Sequence, residues 1–247
     1  MNPLLREKLY SSAKFAELIF FPSSCQLCYA LLDFPRERVV CRSCLKRITP
    51  HRSSYCLCCG RFFVGHGDPH LCQHCLKGSP PFSFHRSCGQ YRGKLKDIIL
   101  LYKYHSFRVL GQDLANLIQR SLGREERLWW EVDAIIPVPL HPKKKRQRGF
   151  NQAQVIAKCL SRLRGVELVE RRLIKIRNVP PQTSLELKDR QKNVLGTFRV
   201  VKRETIKGKV VLLVDDVYTT GATIRECSAA LREAGVKEIR AITVAQA

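Results

Sequence analysis

The chain has 247 residues, 45% of them hydrophobic, with 44 Lys+Arg against 21 Asp+Glu and a formal net charge of +23. That length holds one large domain, or an ordinary domain plus a small one, and the composition is that of a globular protein, not of a disordered or fibrous one. No apolar run approaches the roughly 18 residues that cross a bilayer, and a surface this basic favours polyanions such as nucleic acid, phosphate esters or acidic lipid headgroups.

In chain order, Leu4, Leu5, Leu9, Phe15, Leu18 and Ile19 recur at near-helical spacing. They predict an amphipathic helix within residues 1–21 that packs on the body of the protein. Phe20 and Phe21 extend its apolar end, which leaves attachment to the inner face of a membrane as the alternative. Arg6, Glu7, Lys8, Lys14 and Glu17 interrupt the apolar residues and argue against a secretory signal, so a cytoplasmic protein is expected.

Residues 22–88 hold ten of the twelve cysteines. Cys25-x2-Cys28 is followed after twelve residues by Cys41-x2-Cys44, and Cys56-x2-Cys59 after twelve more by Cys72-x2-Cys75. Clustered cysteines in a reducing compartment point to metal rather than disulfides. Four thiolates presented as two knuckles suit a closed tetrahedral Zn²⁺ site that stabilises a segment too small for its own core. Two structural zincs are therefore expected, each site carrying −2, which brings the effective charge to about +19. Sequential and cross-braced pairing both satisfy the spacing, and the matched repeat favours the sequential one. Cys58, Cys88, His66, His70 and His74 are spare once the two sets are filled. Arg36, Arg38, Arg42, Lys46, Arg47, Arg52 and Arg61, with Tyr55, Phe62 and Phe63, suit single-stranded nucleic acid; a scaffold for protein contact fits as well.

From residue 89 the texture becomes periodic. RGKLKDIILLYKY and VLGQDLANLIQRSL read as helices, DAIIPVP as a short strand, GFNQAQVIAKCLSRL as a helix, VVLLV as a buried strand, ATIRECSAALREAG as a helix and VKEIRAITVA as a last strand. VPPQTSLELKDRQKNV begins as a loop and ends helical. Alternating strands and helices predict a mostly parallel α/β sheet over 89–247. Lys143, Lys144, Lys145, Arg146 and Arg148 form a charged loop after the first strand. Such a run is either a plain solvated loop or a phosphate contact.

The most informative stretch is VLLVDDVYTTGAT, Val211 to Thr223. A strand delivers Asp215 and Asp216 to its carboxyl end, where open α/β sheets bind ligands. A nucleotidase magnesium site would need a GxxxxGK[ST] loop, and the sequence has none. Thr219, Thr220, Gly221, Ala222 and Thr223 open the next helix, so their N–H groups and hydroxyls can cradle a phosphate. Acids that accept from vicinal hydroxyls beside a phosphate cradle describe a ribose-5-phosphate site.

This stretch resembles the signature with which type I phosphoribosyltransferases bind phosphoribosyl diphosphate (PRPP). With IPVPLHPKKKRQRGFNQA, the PPQ…R..N…F run, ALREAG and TVA, residues 20–247 resemble the ComF family of competence proteins, in which a zinc ribbon precedes a phosphoribosyltransferase-like domain. The resemblance implies ribose contacts from Asp215 and Asp216, the 5-phosphate on Thr219–Thr223, and a pyrophosphate loop at Leu140 and His141. It further implies cationic cover from Arg148 and from a flap carrying Arg177, Gln182 and Arg190, with Mg²⁺ bound alongside PRPP. Family members often carry Thr where Val179 stands.

Three classes follow: a working phosphoribosyltransferase, a non-catalytic PRPP or nucleotide sensor that binds single-stranded DNA during uptake, or an assembly factor for a DNA translocase and its competence partners. The sequence names no acceptor.

Overall fold

The computed structural model describes residues 23–32, 39–50, 54–65, 67–177 and 196–247. The expected N-terminal helix, Gln182 and Arg190 lie outside the described residues. The chain divides into two compact units, Met1–Thr49 and Pro50–Ala247.

The cysteine repeat folds alike in both units, bond for bond, at an offset of 31 residues. In the first, Cys25 N–H donates to Ala30 O and Tyr29 N–H to Cys25 O, each at 2.8 Å; in the second, Cys56 N–H donates to Arg61 O at 2.8 Å and Gly60 N–H to Cys56 O at 2.9 Å. A five-residue helix starts within each second knuckle, α1 Arg42–Lys46 holding Cys44 and α2 Gln73–Lys77 holding Cys75. The knuckle needs a left-handed residue, and the copies supply it differently: Tyr29 at φ 61° and Gly60 at φ 68°. A Cβ on Gly60 would come within 2.5 Å of His85 O, so the second copy needs glycine to approach the strand beside it, whereas Tyr29 is 80% exposed.

The second unit is built on five parallel strands, β1 Phe84–Gln90, β2 Ala134–Pro137, β3 Glu167–Leu168, β6 Val210–Tyr218 and β7 Glu238–Gln246, in the order β1-β7-β6-β2-β3. A separate antiparallel hairpin pairs β4 Leu173–Lys175 with β5 Phe198–Val200. The helices are α3 Gly93–Tyr104, α4 Leu110–Leu122, α5 Glu126–Trp129, α6 Pro142–Arg148, α7 Gln152–Arg164 and α8 Ala222–Glu233.

Parallel sheets are covered on both faces, which is why β6 opens on five consecutive buried aliphatics. Val211 and Leu213 share a core with Ile224, Cys227 and Leu231 of α8 and with Leu173, Phe198 and Val200 of the hairpin. Leu212 and Val214 point to the other face and are equally buried; each such side chain contributes about 1.5–3 kcal/mol. Helices α4 and α7 pack on each other and on the sheet, close enough that a Cβ on Gly111 would meet Val155 Cγ1 at 2.5 Å.

Three elements differ from the sequence reading. β1 begins inside the stretch that reads as cysteine-rich and runs past its end at residue 88, yet it pairs along β7. The charged run reads as a loop but is helix α6, with His141 as N-cap, Pro142 in the first turn and Gly149 at φ 76° as its stop. β6 runs on through Asp215 and Asp216 to Tyr218, so the acids lie within the strand.

Candidate functional site

Strand order fixes where a ligand can enter. From β2 the chain crosses outward to β3, and from β6 it crosses the other way to β7, so the connections diverge between β2 and β6. In open α/β sheets the crevice at that switch point is the binding position. The β2–β6 ladder ends at Pro137 and Val214, while β6 stays paired with β7 as far as Tyr218 and Gln246. Asp215 and Asp216 occupy the segment where β6 has lost its neighbour on one side. The loops after β2 and after β6 face the same crevice.

The acids are held by groups that the sequence does not point to. Lys103, near the end of α3, places Nζ 2.9 Å from Asp216 Oδ1, with the two side chains 16% and 12% exposed. Asp215 Oδ1 accepts from Asp216 N–H at 2.8 Å. Burial, then the charge of Asp216, pushes the Asp215 carboxyl up to about 7; the Asp216 N–H, Lys103 and Lys175 oppose the rise. Lys175 comes from the hairpin, where burial lowers its pKa and Asp215 works against that. Asp216 thus faces the ammonium group of Lys103.

The loop after β6 is shaped by one contact. Gly221 takes φ 77° at the N-cap of α8, and a Cβ there would run into the Tyr218 hydroxyl. Ala222 N–H donates to Thr220 Oγ1 at 3.4 Å. Thr219 is exposed, while Thr220, Ala222 and Thr223 are half-buried. Gly221, the N-cap of α8, has no side chain to cap it, Thr220 Oγ1 is an acceptor at the first turn, and a helix N-terminus of this kind can receive a phosphate.

Across the crevice, Asn151 Nδ2 donates to Val138 O at 3.0 Å, and Asn151 Oδ1 accepts from Ala153 N–H. One side chain thus ties down the loop after β2 and caps α7, while Gln152 is buried and caps nothing. Leu140 lines a cavity of about 180 Å³ with Pro139, Asn151, Gln154, Leu173 and Lys175. His141 faces its own helix, Nδ1 accepting from Lys143 N–H at 3.3 Å. Arg148 sits 5.5 Å over the Tyr104 ring and donates to Gln152 Oε1 at 3.4 Å. Arg177 is exposed beyond the end of β4. The structure thus sets Asp215, Asp216 and the 219–223 loop in succession at the end of β6, adds Lys103 to Asp216, and places Leu140 with Lys175 on the cavity beside the loop after β2.

The cysteines form two sets, Cys25, Cys28, Cys41, Cys44 and Cys56, Cys59, Cys72, Cys75, with all sulfurs of a set within 4.8 Å of one another. Zn–S bonds of about 2.3 Å put tetrahedral sulfurs about 3.8 Å apart, and the Cys28–Cys41 and Cys59–Cys72 sulfurs are 3.7 Å apart. Backbone N–H groups of Cys41 and Cys72 donate to Cys25 and Cys56 Sγ, both at 3.3 Å. The thiols fit zinc, and the pairing is sequential. The second set shares the core that contains Phe82, Tyr218 and Ile224.

Comparison with known proteins gives the same two parts. A family model described as a double zinc ribbon domain matches residues 17–90, and one described as a phosphoribosyl transferase domain matches residues 115–247. Competence protein F of Haemophilus influenzae is 31% identical, covering 92% of this chain and 99% of that protein. Competence protein ComFC of Bacillus subtilis is 26% identical over 81% of this chain and 80% of its own length. DNA utilization protein YhgH of Escherichia coli is 26% identical over 90% and 96%. Two four-cysteine zinc sites and a phosphoribosyltransferase fold, in a chain aligned almost end to end with such a relative, place this protein in the ComF family of competence and DNA-utilization proteins.

Proposed function

We propose that the crevice between β2 and β6 binds PRPP or a closely related phosphoribosyl ligand. Asp215 and Asp216 accept from the ribose hydroxyls, and Thr219, Thr220, Gly221, Ala222 and Thr223 receive the 5-phosphate. The loop at Leu140 and His141 takes the pyrophosphate end, with Arg148, Arg177, Gln182 and Arg190 as its cover. The observation that carries this reading is the meeting of an acid pair and a helix N-terminus opened by Gly221 at the switch point of the sheet.

Paired carboxylates in a half-open crevice are donors that suit Mg²⁺. Asp215 and Asp216 would hold it together with ligand oxygens, and the ion supplies charge compensation as pyrophosphate leaves C1. The chain's own part is positioning: Gly221 lets the backbone approach, Asn151 fixes the opposite loop, and the lysines set the local field. Titration calorimetry with PRPP, with and without Mg²⁺, tests the reading; no heat in either case removes it.

At the level of the cell we infer a role in DNA uptake, from the relatives named for competence and DNA utilization. The net charge of +23 supports contact with single-stranded DNA. Affinity should then fall with salt at about −0.7 per phosphate neutralised; a flat response would count against it. Whether the site transfers a ribosyl group or senses the ligand is decided by pyrophosphate release across nucleobases and amines. Among the described residues no helix is long and apolar enough to cross a membrane.

A further inference from the structure

Helix α3 lies between the stretches matched by the two family models, residues 17–90 and 115–247. It nevertheless brings Lys103 to within 2.9 Å of Asp216, with both side chains largely out of water. An exposed ion pair at that distance would mean little. A pair this buried is different, because stripping either partner strands the other charge. Asp216 is therefore already neutralised before any ligand enters. A divalent cation arriving alone would find Asp216 neutralised and would add two positive charges beside the Lys103 ammonium. One arriving with a polyanionic ligand brings its own balance and gives the released ammonium an anion to meet.

Resting on the phosphoribosyl reading above, we propose that Lys103 is the resident counter-cation of the acid pair: a positioning residue that makes divalent-cation binding conditional on the phosphorylated ligand. It deepens the site with a residue from outside the phosphoribosyltransferase stretch proper.

The test uses the full-length zinc-loaded protein and Mn²⁺ as the probe, with unbound ion followed by EPR and no PRPP present. Wild type and Lys103→Arg should bind Mn²⁺ weakly. Lys103→Met should bind it at least tenfold more tightly, and Lys103→Met/Asp216→Asn should lose that gain. If Lys103→Met does not fold, Lys103→Gln, which still donates to Asp216 but carries no charge, makes the same comparison. Tight Mn²⁺ binding by wild type alone, or no gain in the uncharged variants, overturns the proposal. Thermal stabilisation of wild type by PRPP with Mn²⁺ separates the two claims: where it occurs without any gain in the variants, the ligand reading stands and the role of Lys103 falls. Where it does not occur, both fall.

Discussion

The imidazole of His85 lies against the phenol ring of Tyr218, centroids 4.2 Å apart and planes within 22° of parallel. Burial pushes the His85 pKa down to about 3, so the ring stays neutral. Its Nδ1 donates to Cys59 O at 2.9 Å, and Nε2 lies 2.9 Å from Thr243 Oγ1. Arg86 donates from Nη1 to Leu57 O at 3.1 Å and from Nε to Glu125 Oε1 at 2.7 Å. The Cys56–Cys59 knuckle of the second zinc site is thereby joined to β1, through His85 to Tyr218, and through Tyr218 to Gly221 of the loop after β6. It is part of the wall of the phosphoribosyl domain.

The two zinc sites should therefore fail differently. Cys41→Ser should lower zinc from two to one per chain and leave the main unfolding transition of residues 50–247 near its wild-type temperature. Cys72→Ser should also lose one zinc but depress that transition, by about 2–4 °C for each kcal/mol lost. Metal analysis with calorimetry on both variants checks this, and equal transitions would contradict the attachment through His85.

Gly221→Ala combines two faults, a left-handed φ of 77° and a clash with the Tyr218 hydroxyl. Strain and overpacking of this kind cost about 1–3 kcal/mol each. The variant should melt lower and lose the phosphate loop's affinity. Gly208 also has φ 74° but meets nothing within 4 Å, so Gly208→Ala should show the conformational cost alone and keep ligand binding. Melting curves and ligand titrations on the two variants make the comparison.

The raised Asp215 pKa has a signed consequence. Its carboxyl moves from about 3.8 to about 7, so between those values the folded protein holds a proton that the unfolded chain has released. Stability from this group is present below about pH 4 and is lost as pH rises towards 7. Affinity for a ligand that needs the carboxylate should run the other way, rising through pH 7. Asp215→Asn should flatten both trends in denaturant titrations and binding measured from pH 5.5 to 8.5.

What the sequence discloses follows from where each signal resides. The cysteine repeat, the strand–loop–helix from Val210 to Glu233 and the parallel α/β order are local patterns, and the structure has them. Helix α6 carries its own punctuation, His141, Pro142 and Gly149, which the charge run obscures. β1 is hidden because His85, Arg86 and Gln90 read as surface residues; their partners, such as Cys59, Leu57 and Glu125, come from elsewhere in the chain. Lys103 is hidden for the same reason. On its helix it looks like one more solvated cation, and only the fold brings it to Asp216.

The central claim is a phosphoribosyl cradle built on Asp215, Asp216 and the loop after them, and thermal stability with PRPP and Mg²⁺ at pH 8 tests it most directly. At about 100 times its dissociation constant the ligand should add about 2.7 kcal/mol to wild type, on the order of 5–10 °C in Tm, and far less to Asp215→Asn. Equal shifts in the two proteins would mean that the acids do not hold the ribose.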